Sequence, residues 1–499
     1  MGHPIEAENA PVSSPRPAIP IVERYRATVT EEEVSRVDEL AQKLMRDDPS
    51  ICRADLFGPG VDSGLNDGPA ILVGDQREIG LHESLREQML EHRIGMLAGA
   101  DDTLVVERAS PVHEAYIRQL LGIEGFRVAA LGPPSGRPRP IAARCRDSDV
   151  LLQQFADTAR AAGRFQIVPH IGAGSAWALA GAIARKADVP VLVSAPPPRL
   201  TRRVNDKIWF SNRVRQLLGK DALPPTSAAF GPAAIAAKIA RIARNSNRVI
   251  VKTPNSAGSM GNVAIDADLV RRLSAANIRK LVLSMLRGRG WRGRYPVLVG
   301  LWESDILASP SVQLWIPLLG QGHPVIDGVF EQRLAGPTAE FVGAVPSQMP
   351  RSFVDRMAGQ AMRLARLFQT MGYFGRCSLD CLITSPSSDA QRIHWVECNG
   401  RWGGVSVPMT LANRLRAPAT GQGIVIVQNM NVPLAVNDVS ETHERLGNLL
   451  FRSGSDEGIV PLSANCLEKG LGLHFMALSE TQEKAETIAS EALARLRKE

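Results

Sequence analysis

Short apolar runs alternate with helix-period stretches through the N-terminal part of the chain. Ala70-Ile71-Leu72-Val73, Thr103-Leu104-Val105-Val106, Arg127-Val128-Ala129-Ala130-Leu131 and Val189-Pro190-Val191-Leu192-Val193 read as strands, and residues 83–97, 113–121, 149–161 and 175–186 as helices. Such alternation predicts a parallel sheet covered by helices. Ahead of it, Thr30-Glu31-Glu32-Glu33 is a capping box that opens a helix through about Met45. Residues 1–20 hold Pro and Ser clusters without apolar period and read as a disordered tail. Ala195-Pro196-Pro197-Pro198-Arg199 reads as a linker.

Past that linker the pattern changes. A helix begins at Asp206-Lys207 and stops at Gly219, a second covers 233–244, and Arg248 to Lys252 is a strand. Residues 284–294 read as a basic loop and 297–303 as a strand. Residues 352–369 form an amphipathic helix with Met357, Ala361, Leu364, Ala365 and Phe368 on one stripe, and Ser352 with Asp355 resembles a capping box. Two strands, 375–384 and 392–398, flank the turn-forming cluster Ser385-Pro386-Ser387-Ser388-Asp389-Ala390. A loop symmetric about Ser388 and Asp389 sets Asp380 opposite Glu397, with Asn399 on the same face. Cys377, Cys381 and Cys398 then fall on the other face as packing residues. After about Leu415, a strand at 423–427 and helices at 442–451 and 481–497 suggest a small α+β unit.

A chain of 499 residues accommodates two to four domains. With 44% hydrophobic and 22% charged residues it reads as a soluble globular protein. The six cysteines form no Cys-x-x-Cys pair, so reduced thiols in a cytoplasm are expected. The first twenty residues lack a positive n-region and an apolar core, and the uncharged stretch at 176–184 is too short to span a bilayer. A cytoplasmic protein with no membrane partner is expected. A net charge of +7 permits an anionic ligand without implying nucleic acid. The Arg287, Arg289, Arg292 and Arg294 loop with Trp291 reads as a solvated or anion-facing loop before it reads as a nucleic-acid grip.

Three stretches carry candidate chemistry. Like charges directly opposed across a hairpin repel, which points to a cation between Asp380 and Glu397. Two carboxylates and the Asn399 amide oxygen are hard ligands suited to magnesium; surface carboxylates on an ordinary hairpin are the alternative. The repulsion further predicts that Glu397→Gln leaves the metal-free protein at least as stable. Lys252 ends a strand and is followed by the small-residue loop Thr253-Pro254-Asn255-Ser256-Ala257-Gly258-Ser259-Met260-Gly261, either a phosphate lid or a flexible hairpin tip. Gly172-Ala173-Gly174 lacks the third glycine of a dinucleotide loop and reads first as a tight turn.

Asp380, followed by Glu397-Cys398-Asn399-Gly400-Arg401 with Gly403-Gly404, resembles the metal-binding end of ATP-grasp ligases. Asp206-Lys207 and then Lys252 with its glycine loop come in the same order, so the resemblance covers residues 205–415. The arrangement is also similar to bacterial peptide ligases of the pheganomycin-biosynthesis type. The resemblance implies an α/β and α+β chain: an N-terminal Rossmann-like pre-ATP-grasp domain, an ATP-grasp fold and a small α+β C-terminal domain. The corresponding ranges are a tail at 1–22, then 23–200, 201–418 and 419–499. It implies a carboxylate–amine ligase that works through an acylphosphate, on amino-acid or peptide substrates in specialised metabolism. ATP with one or two Mg2+ ions, or Mn2+, is the implied cofactor set. Lys207, Lys252, Ser256, Gly258, Ser259 and Gly261 would contact nucleotide phosphates and Glu303 the ribose, in a hinge whose backbone reads adenine. Asp380, Glu397 and Asn399 would hold metal, and Arg401 would steady the transferring phosphoryl group or the oxyanion of the tetrahedral intermediate, or else bridge strands structurally. The implied partners are small-molecule or peptide carboxylates and amines, an acyl-carrier or peptide acceptor, and a second copy in a homodimer. A biotin-carboxylase-like carboxylase, lacking here a Met-Lys-Met site, and a non-catalytic nucleotide sensor are the other classes.

Overall fold

The computed structural model describes residues 25, 27, 29–80, 87–133, 138–256, 261–385, 391–415, 423–429, 432–464, 467 and 472–498. The expected tail at 1–22, and Gly258 and Ser259 of the loop, lie outside the described residues.

Apolar strands separated by helices assemble as the alternation requires. β1 (Val61–Ser63), β2 (Ala70–Val73), β3 (Thr103–Val106), β4 (Arg127–Ala130), β5 (Phe165–Pro169) and β6 (Val191–Val193) form one sheet, ordered β1-β6-β5-β2-β3-β4. Every pairing is parallel. From β2 the chain runs to β3 and β4 on one side, then returns to β5 and β6 on the other. The order reverses between β2 and β5, and a crevice opens beyond the C-terminal ends of such strands. The helix Glu31–Asp47 begins with the expected capping box at Thr30. The helix expected over 83–97 is a 3-10 helix at Glu87–Leu97, and residues 83–86 lie outside the described residues.

A second sheet is antiparallel: β7 (Thr226–Ala229), β8 (Arg248–Lys252), β9 (Asn262–Asp266) and β10 (Val297–Leu301), ordered β7-β10-β8-β9. Its two-residue period buries Val249, Val251, Val297 and Val299 in one core. Ile250, Lys252, Leu298 and Gly300 line a crevice on its other face.

The third sheet joins β11 (Ile306–Ala308), β12 (Pro310–Ile316), β13 (Val325–Ala335), β14 (Glu340–Pro346), β15 (Gly375–Thr384), β16 (Arg392–Asn399), β17 (Gly423–Asn429), β18 (Gly458–Pro461) and β19 (Leu473–Ser479). β11 and β12 lie in turn along one edge of β15, and β16 pairs with the other. The strands after residue 423 extend this same sheet through the β14–β17 pairing, Gly343 opposite Val427. Val425 and Ile426 share one core with Leu104 and Phe126 of the parallel layer.

Three local expectations are corrected. Ala195, Pro196 and Pro197 are buried, and the Pro196 carbonyl accepts from Trp177 Nε1 (3.2 Å) and Thr201 Oγ1 (3.2 Å), so the prolines are a packed junction and not a free linker. Arg287 belongs to the helix Ala275–Gly288, and Trp291 is buried, edge-on to Tyr295, its Nε1 donating to the Arg294 carbonyl (2.9 Å). That ring is core and offers no face to a base. The helix Arg351–Thr370 has Pro350 at its N-cap, and Asp355 pairs with Arg351 (2.8 Å) instead of closing a capping box with Ser352. No helix among the described residues is long and apolar enough to cross a membrane.

Candidate active site

The β15–β16 hairpin sets the first pair of groups. Asp380 is opposite Glu397 and Ser378 opposite Asn399. This register arises differently from the symmetric loop that predicts it. Thr384 pairs with Arg392 and Leu382 with His394, which centres the outer ladder one position away. A bulge between Asp380 and Cys381 absorbs the offset, so Val396 is the extra residue on β16. Cys377 and Cys398 meet on the far face with their sulfurs 3.5 Å apart, and Cys381 lies against Met357 Sδ. Burial pushes the Cys381 and Cys398 thiols well up, as expected of packing residues.

The two carboxyls do not share their repulsion equally. Lys207 is the first residue of the helix Lys207–Leu218, whose N-cap Asp206 accepts from Ile208 N and Trp209 N. A cation at the positive end of a helix is disfavoured unless an anion faces it. Glu397 is that anion: Lys207 Nζ lies 2.8 Å from Glu397 Oε2, with side chains 5% and 24% exposed. Lys207 Nζ also donates to the Ser256 carbonyl. Burial raises the Glu397 carboxyl, but Lys207, Lys252 and Arg401 together outweigh it and hold the group below the usual carboxylate range. Among the described residues Asp380 has no such cation in contact. Burial first, and the Glu397 charge second, push it up to about 7. Its oxygens accept from Ser311 Oγ (2.6 Å) and Asn399 Nδ2 (2.8 Å). Burial lowers the Lys252 ammonium, opposed by Glu397 and reinforced by Lys207.

Arg401 is anchored at both ends of its fork. Nη1 donates to Asn205 Oδ1 and Nη2 to Asn399 Oδ1. Asn205 is in turn fixed by Thr201 O (2.7 Å), Gly400 O (3.2 Å) and Gly400 N (3.1 Å). A Cβ at Gly400 would stand 2.5 Å from Val204 Cγ2, so the Asn205 contact requires a glycine there. Nothing in the local sequence marks Asn205, because the partners that give it a part in the site, Gly400 and Arg401, lie far away in the chain.

The structure therefore brings Lys207, Lys252, Asp380, Glu397, Asn399 and Arg401 together. Asn399 departs from its expected part: its nitrogen faces Asp380 and its oxygen faces Arg401. Among the described residues no three His, Cys, Asp or Glu side chains gather as a metal cluster. The Asp380–Glu397 pair still suits a hard divalent cation, because its donors are carboxylate oxygens and Asp380 carries uncompensated repulsion. Ser256 spends its hydroxyl on Thr253 O (3.2 Å), and Thr253 N donates to Gly261 O (3.0 Å). Both residues thus close the stem of the loop. A Cβ at Gly261 would come 1.9 Å from Thr253 Oγ1, so glycine is required there.

Lys252, Ile250, Leu298 and Gly300 form one wall of a narrow crevice, and Trp395 and Val396 of the hairpin contribute to the other. The N–H groups of Leu301 and Trp302, at the expected hinge, already donate to Pro225 O (2.9 Å) and Arg248 O (3.2 Å). Glu303 lies 3.0 Å from His394 Nδ1, and its side chain is 12% exposed.

No protein-family model and no curated protein matches the sequence. Among solved structures, the biotin carboxylase domain of the Hydrogenobacter thermophilus 2-oxoglutarate carboxylase, in complex with MgADP, ADP and bicarbonate, matches with a TM-score of 0.50 at 13% identity, covering 86% of this chain and 90% of that one. The fold is ATP-grasp. Similar matches are biotin carboxylase from Campylobacter jejuni (TM-score 0.49, 13% identity, 86% and 91% covered) and the N5-carboxyaminoimidazole ribonucleotide synthetase from Thermus thermophilus (0.49, 15%, 86% and 99%). In this chain the crevice lies between the β7–β10 sheet and the β15–β16 hairpin; Lys252 lines it, and Glu397, on which Lys207, Lys252 and Arg401 act, follows Val396 of its wall.

Proposed function

We propose that the chain is an ADP-forming carboxylate–amine ligase, acting on an amino-acid or peptide substrate. The observation that carries this reading is the convergence of Lys207, Lys252 and Arg401 on Glu397 beside a carboxyl that has no cation of its own. Three cations around one carboxylate leave surplus positive charge, which suits a polyanionic nucleotide. In the reading, a substrate carboxylate oxygen bonds to the γ-phosphorus as the bridging bond to ADP breaks. An amine nitrogen then bonds to the acyl carbon, phosphate leaves and the amine proton departs with it. Lys207 and Lys252 hold phosphate oxygens, and Arg401, held flat by Asn205 and Asn399, presents its fork to the equatorial oxygens. Asp380 and Glu397 would hold magnesium, and that ion would supply neutralisation of the phosphoryl charge. The loop closed at its stem by Ser256 and Gly261 keeps water from the acylphosphate.

ADP release with a panel of carboxylates and amines tests this. Release that requires both partners supports it, and release with neither sinks it. The MgADP and bicarbonate of the structurally similar carboxylase domain favour one second reading, with bicarbonate as the acid. ADP release that needs bicarbonate and no organic carboxylate would select that reading.

A further inference from the structure

Arg401 lines a space separate from the crevice walled by Lys252. A cleft runs from Arg401 and Ser256 across to the parallel sheet, where Glu78, Ile79 and Ile171 line it. Those residues follow β2 and β5, so its floor is the point where the strand order reverses. The floor is tightly built: a Cβ at Gly172 would stand 2.6 Å from Pro196 O and 2.7 Å from Thr201 Oγ1. This explains Gly172 as a close approach, whereas Gly174, with nothing within 4 Å of a Cβ, begins the helix Gly174–Ala187. Leu56, Phe57, Ile79 and Ile171 supply apolar wall.

Arginines crowd the mouth, and most are matched. Arg53 pairs with Asp55 (2.6 Å). Arg199 and Arg203 share Asp48 (2.9 and 3.5 Å). Asp206, also at the mouth, is spent capping the helix Lys207–Leu218. Arg202 and Arg294 are left with no carboxylate within 4 Å among the described residues. Both line this cleft and also an adjoining one. They come from segments far apart in sequence, the helix Pro198–Val204 and the turn after Ala275–Gly288.

We infer that this cleft binds the acid to be activated and that Arg202 and Arg294 hold a second anionic group on it, away from the reacting carboxylate. The acid is therefore a dianion, a dicarboxylate or a carboxylate bearing a phosphoryl-type group, with an apolar body against Leu56, Phe57 and Ile79. Arg401 receives the reacting end. The assignment of the reacting end rests on the ligase reading; the distal anion pocket does not.

The test uses the full chain and calorimetric titration, with and without MgADP. Succinate, adipate and suberate are each compared with the monocarboxylate of equal length, and phosphonobutyrate with butyrate. The expected result is that at least one dianion binds at least about tenfold more tightly than its monoanion. Arg202→Gln with Arg294→Gln removes that advantage, bringing dianion affinity down to that of the monocarboxylate, with MgADP binding as the check that the variant is folded. A dicarboxylate advantage names a second carboxylate, and a phosphonobutyrate advantage names a phosphoryl-type group. Equal binding of all pairs, or an advantage that survives in the double variant, overturns the inference. Failure of MgADP to bind while the dianion advantage persists overturns the ligase reading and not the pocket.

Discussion

The two sides of Arg401 handle positive charge in opposite ways. On the nucleotide side Lys207 is 5% exposed and held by Glu397, and Lys252 is desolvated beside it. On the cleft side Arg202 and Arg294 are exposed and carry no counter-ion among the described residues. A cation taken out of water has to be compensated within the fold. A cation left in water can wait for its partner. In the proposed reading the nucleotide side is thus built before any ligand arrives, whereas the cleft side would be completed by one.

This contrast sets an order of expected effects. Arg401→Lys gives the largest: turnover should fall about 100- to 1,000-fold with ATP affinity kept, because an ammonium cannot span Asn205 and Asn399 while facing a phosphoryl group. Steady-state ADP release beside an ATP titration checks it, and turnover within about twofold of wild type would leave Arg401 a strand-bridging residue.

Glu397→Gln comes next, and here the structure reverses the expectation drawn from opposed carboxylates. Glu397 is the counter-ion of a buried lysine and not the strained member of the pair. Removing its charge should cost the metal-free protein about 2 kcal/mol, less than the roughly 3–5 kcal/mol of a fully buried pair because the side chain keeps some solvent. Chemical denaturation in chelator measures this, and a variant as stable as wild type would show that the Lys207 contact contributes nothing.

Lys252→Ala should weaken nucleotide binding about tenfold while leaving the unfolding midpoint near wild type, since it removes a cation that burial already disfavours. Calorimetric ATP titration decides it; unchanged affinity would take Lys252 out of the site.

Asp380→Asn is the smallest effect and carries a pH signature. The folded carboxyl is raised from an ordinary value of about 4 to about 7. The folded state then holds its proton more tightly than the unfolded chain. The stability this gives is present at acid pH and is lost as pH rises from about 4 through about 7. The amide avoids that loss. In chelator the variant should gain on the order of 1 kcal/mol over wild type above about pH 7 and nothing near pH 4. Comparing variant with wild type separates Asp380 from Glu91, which burial also raises, to about 8. An advantage equal at both pH values would mean the carboxyl is not the titrating group.

Period and residue type alone determined a good deal. Alternating apolar runs specified the parallel layer, since strands buried on both faces must be apolar throughout. The two-residue period put Asp380, Glu397 and Asn399 on one face and three cysteines on the other, because side chains of a strand have no third direction. The order of Lys207, Lys252, Asp380 and Glu397 pointed to the ATP-grasp fold seen in the tertiary structure. Other features were settled only there. The bulge at Val396 restores a register that the outer ladder would have missed, and nothing in Trp395-Val396-Glu397 announces it. Glu397 belongs with Lys207 because a helix start meets a strand end that lies far along the chain. The amide of Asn399 turns its nitrogen to Asp380 because Arg401 claims its oxygen, a choice made by three side chains at once. Strand β17 continues a sheet begun at β11 because edge hydrogen bonds are satisfied by whichever strand is near, and sequence pattern encodes the face of a strand but not its neighbour.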